Sequence, residues 1–184
     1  MSLLLVRHGQ ASFGTDDYDR LSERGWDQCR RLGDWLVRGG HRFRTVVVGG
    51  MRRHQQTADA IADAFLAQGT PLPEPVVDAG FAEFDHHAVF QAYLDRDPHD
   101  PIAVASRSGD PRDVGAMLRA ALLAWARDEL PGVPESWAVF GQRVQAAGER
   151  LEALAGDDEA LVLTSGGVIS RLAQHALQLL CSPP

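Results

Sequence analysis

The N-terminal stretch SLLLVRHGQAS, residues 2–12, decides the fold that the sequence predicts. Its continuous apolar run Leu3–Val6 is typical of a strand that is buried on both faces in a parallel sheet. The triplet Arg7-His8-Gly9 follows at once. Ligands of open parallel sheets bind at the carboxyl ends of the strands, so we expect the functional site beside His8.

The residues up to 68 alternate between helical and strand patterns. Ser22 suits the N-cap of a helix that ends at Gly39-Gly40. The β-branched run Thr45–Val48 predicts a second strand, and an apolar stripe from Ala58 to Leu66 predicts a second helix. This strand–helix–strand–helix order favours an α/β layered fold around a parallel sheet.

The rest of the chain contains patterns of unequal strength. Residues 86–111 are rich in Asp, His, Pro and Gly, and we predict irregular structure there. We also predict a single domain, residues 1–184, with residues 84–134 as a cap insertion. The other predicted elements are a short strand at Val76-Val77, helices at Val114–Trp125 and Trp137–Leu154 separated by Pro131–Pro134, a buried strand at Leu161–Thr164, and a final helix lined by residues from Val168 to Leu180.

Composition excludes several classes of function. The chain has 184 residues, of which 45% are hydrophobic and 23% charged, as expected for one globular domain with a modest insertion. All 18 cationic side chains are Arg, which excludes Schiff-base chemistry and a P-loop lysine. The net charge of -7 argues against general nucleic-acid binding, so an anionic small substrate needs a local arginine cluster.

Cysteine usage and hydropathy favour a soluble, cytoplasmic protein. Cys29 and Cys181 are far apart and have no metal-ligand spacing, so we interpret them as reduced thiols. The apolar run Leu3–Val6 is too short for a signal sequence or a membrane span. The sequence itself predicts no oligomeric state.

Residues that suit a phosphate site follow three of the predicted strands. Glycines let the backbone approach a ligand, and helix N-termini offer N–H groups to anions. Arginine side chains bind phosphoryl oxygens bidentately. The three segments are Arg7-His8-Gly9-Gln10, then Gly49-Gly50 followed by Arg52-Arg53, and Thr164-Ser165-Gly166-Gly167.

His8 and Arg53 have the strongest individual arguments for chemistry. Imidazole is a competent nucleophile toward phosphorus while it is neutral, as much of it is at pH 7. A cation at the start of a helix, as predicted for Arg53, is disfavoured by the helix dipole unless an anion lies beside it. A structural histidine and a solvated arginine are the alternatives for these residues.

Five segments together resemble the histidine phosphatase superfamily, also called the phosphoglycerate mutase-like family. They are LVRHGQAS, YDRLSERGWDQ, MRRHQQTA, ESWAVFGQRV and LVLTSGGVISRL, in this order between residues 3 and 173. The resemblance implies a three-layer α/β/α sandwich with a mostly parallel sheet and a helical cap insertion.

The resemblance also implies roles for individual residues. His8 would be the phosphorylated nucleophile, and Arg7 and Arg53 would hold the phosphoryl group. An acidic proton donor is expected shortly after the third strand; Glu83 matches this position, and Asp85 is the second candidate. Further expected phosphate contacts are Gly9, Gln10, Ser165 and Gly166, with Ser12 also following the nucleophile.

Ser165 departs from the family pattern, as does Gly50, which replaces the usual proline of the second motif. The family usually has a second histidine directly before the last Gly pair, and this chain has Ser165 there. A serine hydroxyl is a neutral and shorter donor. Losing one preorganised oxyanion donor costs about 2.7–4 kcal/mol, which need not abolish catalysis. His86 or His87 could supply the imidazole, although an exposed loop pair is the alternative; His41, His54 and His99 show no partner pattern.

The leading hypothesis is a phosphohydrolase that acts on small phosphate monoesters through a phosphohistidine at His8. It requires no metal and no organic cofactor. The alternatives are a non-catalytic phosphate-binding or protein-interaction module, favoured by Ser165, and a phosphomutase. The family usually continues past the final helix into another strand, whereas this sequence ends at Pro184; with little tail to exclude water, we expect hydrolysis over mutase chemistry.

Overall fold

A computed structural model describes residues 2–12 and 17–177 of the chain. Within these ranges the fold is α/β with an all-parallel four-stranded sheet, as the sequence predicts. Leu180 and Cys181, which entered the sequence analysis, lie outside the described residues. The strands are β1 (Ser2–Arg7), β2 (Thr45–Val48), β3 (Val76–Val77) and β4 (Glu159–Thr164), in the order β1-β4-β2-β3.

Seven α-helices accompany the sheet in the described ranges. Their contacts divide these ranges into two compact units: unit 1 comprises residues 2–83 and 143–177, and unit 2 comprises residues 84–142. The helices are α1 (Glu23–Arg38), α2 (Arg52–Ala67), α3 (His86–Arg96), α4 (Pro101–Ser106), α5 (Pro111–Ala126), α6 (Trp137–Ala155) and α7 (Gly166–Ala176), with a short 3-10 helix at Ala79–Phe81.

Alternation along the strands builds the core of unit 1. Val46 and Val48 point to one face of the sheet, where they are buried against α1 and α2. Val47 points to the opposite face, where Leu151 of α6 lies beside it. Successive strand residues face opposite sides, so helices on both faces bury the whole strand. This explains the apolar runs that the sequence analysis interpreted as strands.

Helix α1 confirms the capping prediction. The side chain of Ser22 accepts a hydrogen bond from the backbone N–H of Gly25 at 3.1 Å. At the other end the N–H of Gly39 donates to the carbonyl of Trp35. An N-cap hydroxyl and a C-terminal glycine satisfy backbone groups that have no partner inside the helix.

The prediction of irregular structure for residues 86–111 is wrong. Helices α3 and α4 lie there, and each begins with an aspartate cap: Asp85 accepts from the N–H of Ala88, and Asp100 accepts from those of Ile102 and Ala103. Capping and a proline at the first position of α4 define these short helices. Their apolar periodicity is weak because few of their side chains are buried.

An aromatic cluster forms the core of unit 2. The ring of Trp125 in α5 is 1% exposed and lies 4.5 Å from that of Phe84 and 5.1 Å from that of Trp137, measured between centroids. Its indole N–H donates to the carbonyl of Glu135 at 2.9 Å. Trp125 and Trp137 therefore act in packing. Within the ranges that the structure covers, we find no helix with the length and apolar character of a membrane span.

The contact between α1 and the loop after β1 depends on glycine. A Cβ on Gly25 would overlap the carbonyl oxygen of Gln10, and a Cβ on Gly9 would lie 2.5 Å from the carbonyl oxygen of Gly25. Both positions therefore require that no side chain be present, because the two backbones are in direct contact. This packing holds the loop that carries His8 against a regular helix.

We predict opposite effects for alanine at two helical glycines. Gly25→Ala should lower the free energy of unfolding by about 1–3 kcal/mol, because the loop after β1 must move away from α1. Gly115→Ala in α5 meets only the end of the Arg119 side chain at 3.9 Å, so it should raise that free energy by about 0.5–1 kcal/mol. Urea unfolding of both variants tests this, and equal stability would contradict the close contact.

Candidate active site

The carboxyl ends of three neighbouring strands lie at one edge of the sheet in unit 1. Because β4 pairs in parallel with β1 and β2, Arg7 is opposite Thr164 and Val48 is opposite Leu163. The N–H of His8 continues the ladder by donating to the carbonyl of Thr164 at 2.9 Å. The segments that follow these strands are therefore brought together.

His8 presents a neutral imidazole whose reactive nitrogen is defined by one hydrogen bond. Its Nδ1 lies 2.7 Å from the carbonyl oxygen of Gly9. A carbonyl oxygen can only accept, so Nδ1 carries the proton and Nε2 keeps its lone pair. Burial lowers the pKa of His8 to about 4; the Gly9 carbonyl raises it, and the cations Arg53 and Arg7 lower it further. At pH 7 the side chain is a nitrogen nucleophile.

Arg7 and His8 line one cavity of about 530 Å³, together with Gln10, Tyr18 and Arg24. The side chain of Arg7 is exposed, and its Nε would be 3.8 Å from a Cβ at Gly166, so the guanidinium lies over the start of α7. Two guanidinium groups and a neutral imidazole at one opening suit a small anionic ligand.

Arg53 is not among the described residues that line this cavity. Its side chain is 3% exposed, and its Nη1 lies 2.7 Å from Oδ1 of Asp19. Its Nη2 lies 3.5 Å from Oγ of Ser165, and its Nε is buried without a hydrogen-bond partner among the described residues. Asp19 thus binds one nitrogen, and the Nε and Nη2 side of the guanidinium keeps capacity for a bidentate anion.

Asp19 is a site residue that the sequence analysis missed. One carboxylate oxygen binds Arg53, and the other accepts from the N–H of Arg52 at 3.0 Å, at the start of α2. This carboxylate is the anion that the helix dipole and the buried guanidinium require. Asp19 lies within the quoted segment YDRLSERGWDQ, but its partner Arg53 is more than thirty positions away, so no local pattern indicates the contact.

Glu83 lies at the start of α7. Its Oε2 accepts from the N–H of Gly167 at 3.0 Å. The preceding residues are held firmly: Thr164 Oγ1 donates to the carbonyl of Phe81 at 2.6 Å, and Arg143 Nη1 donates to the carbonyl of Ala82 at 3.0 Å. The carboxyl group is therefore positioned by the strand end that also carries Ser165.

Backbone N–H groups of the loop after His8 donate hydrogen bonds to other segments of the protein. The N–H of Gly9 donates to Thr57 Oγ1 at 3.3 Å, and that of Gln10 donates to Gln28 Oε1 at 2.9 Å. Ser12 is buried, and its N–H donates to the carbonyl of Arg20. The glycine at position 9 is needed for close packing on α1, and its N–H is directed to α2.

The other candidates lie in unit 2. Asp85 caps α3, which gives this carboxylate a structural role. The rings of His86 and His87 lie 4.2 Å apart between centroids, in the first turn of α3. Their proposed substitution for the missing histidine stays a prediction. Among the described residues, no group of three or more His, Cys, Asp or Glu side chains has metal-binding geometry.

His54 has a partner that the sequence pattern did not indicate. Its side chain is completely buried, and its Nε2 lies 2.7 Å from Oγ of Ser165. Its ring lies 5.7 Å from that of His8 between centroids. Burial lowers the pKa of His54 to about 3, with Arg53 and His8 lowering it further. A second neutral imidazole therefore lies beside His8.

A profile of the histidine phosphatase superfamily (branch 1) matches residues 3–91 and 106–182 of the chain. Among curated proteins, the mitochondrial serine/threonine-protein phosphatase Pgam5 of Drosophila persimilis is 34% identical over 85 residues. That match covers 39% of this chain and 29% of the relative, so the chain spans less than a third of the curated relative's length.

Solved structures share the fold over nearly the whole chain. A phosphoglycerate mutase from Bacillus anthracis has a TM-score of 0.63 at 19% identity, covering 94% of this chain and 78% of that one. A mycobacterial glucosyl-3-phosphoglycerate phosphatase has a TM-score of 0.63 at 22% identity, covering 95% and 78%. A phosphoserine phosphatase variant from Entamoeba histolytica has a TM-score of 0.62 at 15% identity, covering 97% and 81%.

The lowered pKa values predict acid sensitivity. His8 and His54 take up protons below pH 6.5 when unfolded but stay neutral in the fold until about pH 4 and about pH 3. The free energy of unfolding should therefore fall as pH decreases from 6.5 to 4. The slope is up to about 1.4 kcal/mol per pH unit for each histidine.

Urea unfolding across this pH range checks the prediction. His8→Asn should reduce the slope of the free energy of unfolding against pH by up to the contribution of one histidine. The control His99→Asn changes an exposed side chain and should keep the wild-type slope. Equal slopes for His8→Asn and wild type would contradict a neutral buried His8.

Proposed function

Because the chain belongs to branch 1 of the histidine phosphatase superfamily, we propose that it hydrolyses small phosphate monoesters through a phosphohistidine at His8. One observation carries the proposal: His8 has a neutral ring with its proton on Nδ1, beside a cavity that Arg7 also lines. A lone pair on Nε2 and neighbouring cations are what in-line attack on a phosphoryl group requires.

The first step of the proposed reaction transfers the phosphoryl group to His8. Nε2 attacks phosphorus, the phosphorus–nitrogen bond forms, and the bond to the leaving oxygen breaks. Arg7 and the Nε and Nη2 side of Arg53 neutralise the phosphoryl oxygens. The carboxyl group of Glu83 gives its proton to the leaving oxygen, which departs as an alcohol.

The second step hydrolyses the phosphohistidine. A water oxygen attacks phosphorus while the Glu83 carboxylate accepts a proton from that water, which restores the acid. The phosphorus–nitrogen bond breaks, and inorganic phosphate leaves a neutral His8. The hydrogen bond from the Gly167 N–H to Glu83 supports this role, because it holds the carboxyl at the strand end next to the nucleophile's own strand. We also propose that residues 84–134 act as the cap that selects the substrate.

Substitution of the nucleophile tests the proposal. Wild type should release phosphate from p-nitrophenyl phosphate, and His8→Ala should lose this activity by several orders of magnitude because no phosphoenzyme can form. His41→Gln is the matched control, since His41 binds Glu159 at the other end of β4 and should leave the rate unchanged. Equal activity in wild type and His8→Ala would refute the proposal.

A labelled substrate separates the alternatives. With a ³²P-labelled monoester, trapping at neutral pH should label wild type and not His8→Ala. A phosphomutase would instead move the label to another hydroxyl without releasing phosphate. A non-catalytic binding module would be stabilised by phosphate and would never become labelled.

A further inference from the structure

The place where the family has a second histidine is occupied here by a hydrogen-bonded pair. Ser165 and His54 are 1% and 0% exposed, and Ser165 Oγ lies 2.7 Å from His54 Nε2. Ser165 directly precedes α7, yet its hydroxyl makes no capping hydrogen bond to that helix. The hydroxyl is instead held between the imidazole of His54 and, at 3.5 Å, Nη2 of Arg53.

His54 lies there at a cost to folding. Its Nδ1 is buried without hydrogen-bond geometry to any described residue, although the backbone of Gly49 is close beside it. A buried polar atom without a partner lowers the free energy of unfolding. An apolar side chain in the first turn of α2 would avoid this cost, so stability alone does not account for the imidazole.

The tautomer of His54 sets the direction of its hydrogen bond to Ser165. Burial and the cation of Arg53 lower the pKa of the ring, the backbone of Gly49 raises it, and the ring is neutral at pH 7. With the proton on Nε2, His54 donates to Ser165 Oγ, and the hydroxyl proton of Ser165 is available for a third atom.

A phosphoryl oxygen is the third atom that the surroundings favour. Ser165 Oγ neighbours the side of Arg53 that keeps capacity for an anion. The ring of His8 lies 5.7 Å from that of His54 between centroids, so the proposed nucleophile is close to the pair of Ser165 and His54. Arg53 and His54 are consecutive, and a single turn of α2 supplies both the guanidinium and the imidazole.

We propose that His54 positions Ser165 as the donor to the phosphoryl group, so that this pair carries the task of the histidine that position 165 lacks. The inference rests on the proposed phosphohydrolase function and deepens it. Compared with the family pattern, the imidazole is placed at the start of α2 instead of at the end of β4. The hydroxyl of Ser165 lies between this imidazole and Arg53. Ser165 is the catalytic residue of the pair, and His54 is its positioning residue.

Moving the imidazole back tests the proposal. Ser165→Ala should lower kcat by about 10²–10³-fold, as for other lost oxyanion donors. His54→Leu should lower it by up to about 10²-fold, with little further loss when combined with Ser165→Ala. The double variant His54→Ala/Ser165→His places an imidazole at position 165 and should recover at least about 10-fold over His54→Ala.

Conservative and remote variants separate positioning from folding. His54→Gln keeps an N–H that can donate to Ser165, so it should retain more activity than His54→Leu at equal melting temperature. His41→Gln should keep the wild-type kcat. The proposal is overturned if kcat of His54→Ala/Ser165→His is no higher than that of His54→Ala. It is also overturned if the fold-losses in kcat of His54→Leu and Ser165→Ala multiply in the combined variant.

The outcomes keep the two proposals distinct. A wild type that depends on His8, together with unaffected variants at 54 and 165, overturns only the pairing of His54 with Ser165. A wild type without activity overturns the proposed function. The pairing of His54 with Ser165 is then tested by the rise in melting temperature that inorganic phosphate causes. That rise should be lost in Ser165→Ala and His54→Leu; a rise equal to wild type in both, or no rise in wild type, overturns the pair as well.

Discussion

The pairing of β4 between β1 and β2 is the constraint on which the site depends. It sets Thr164 level with Arg7 and Leu163 level with Val48, so three chain segments leave the sheet side by side. Each segment then turns directly into a loop or helix that carries polar side chains. A shift of one residue in β4 would exchange the side chains that its two buried faces present to the helices, and it would also separate Ser165 from His54.

Electrostatic balance at this edge follows from burial of Arg53. A buried guanidinium requires a partner, and Asp19 provides one carboxylate while capping α2. The same positive charge helps to keep the imidazoles of His8 and His54 neutral. Burial is the largest cause of both lowered pKa values, and the cation of Arg53 adds to it while keeping capacity for an anion.

The sequence predicted the sheet well because its signals are local. The apolar strands, the Ser22 cap and the positions of His8 and Arg7 each depend on a few neighbouring residues. Asp19 and His54 lie within segments that carry the family resemblance, but their contacts escaped prediction because the partners, Arg53 and Ser165, are distant in the chain. Helices α3 and α4 escaped because aspartate caps define them while few of their side chains are buried.

Cys29 illustrates a consequence of the tight packing under the loop after β1. Its thiol is 3% exposed and lies 3.6 Å from Thr57 Oγ1, the hydroxyl that also holds the N–H of Gly9. Burial raises the pKa of the thiol, so almost none of it is ionised near neutral pH. Oxidants and alkylating reagents act on accessible thiolates. Burial and a raised pKa thus both disfavour reaction of peroxide with this sulfur atom, which lies directly beneath the loop of His8.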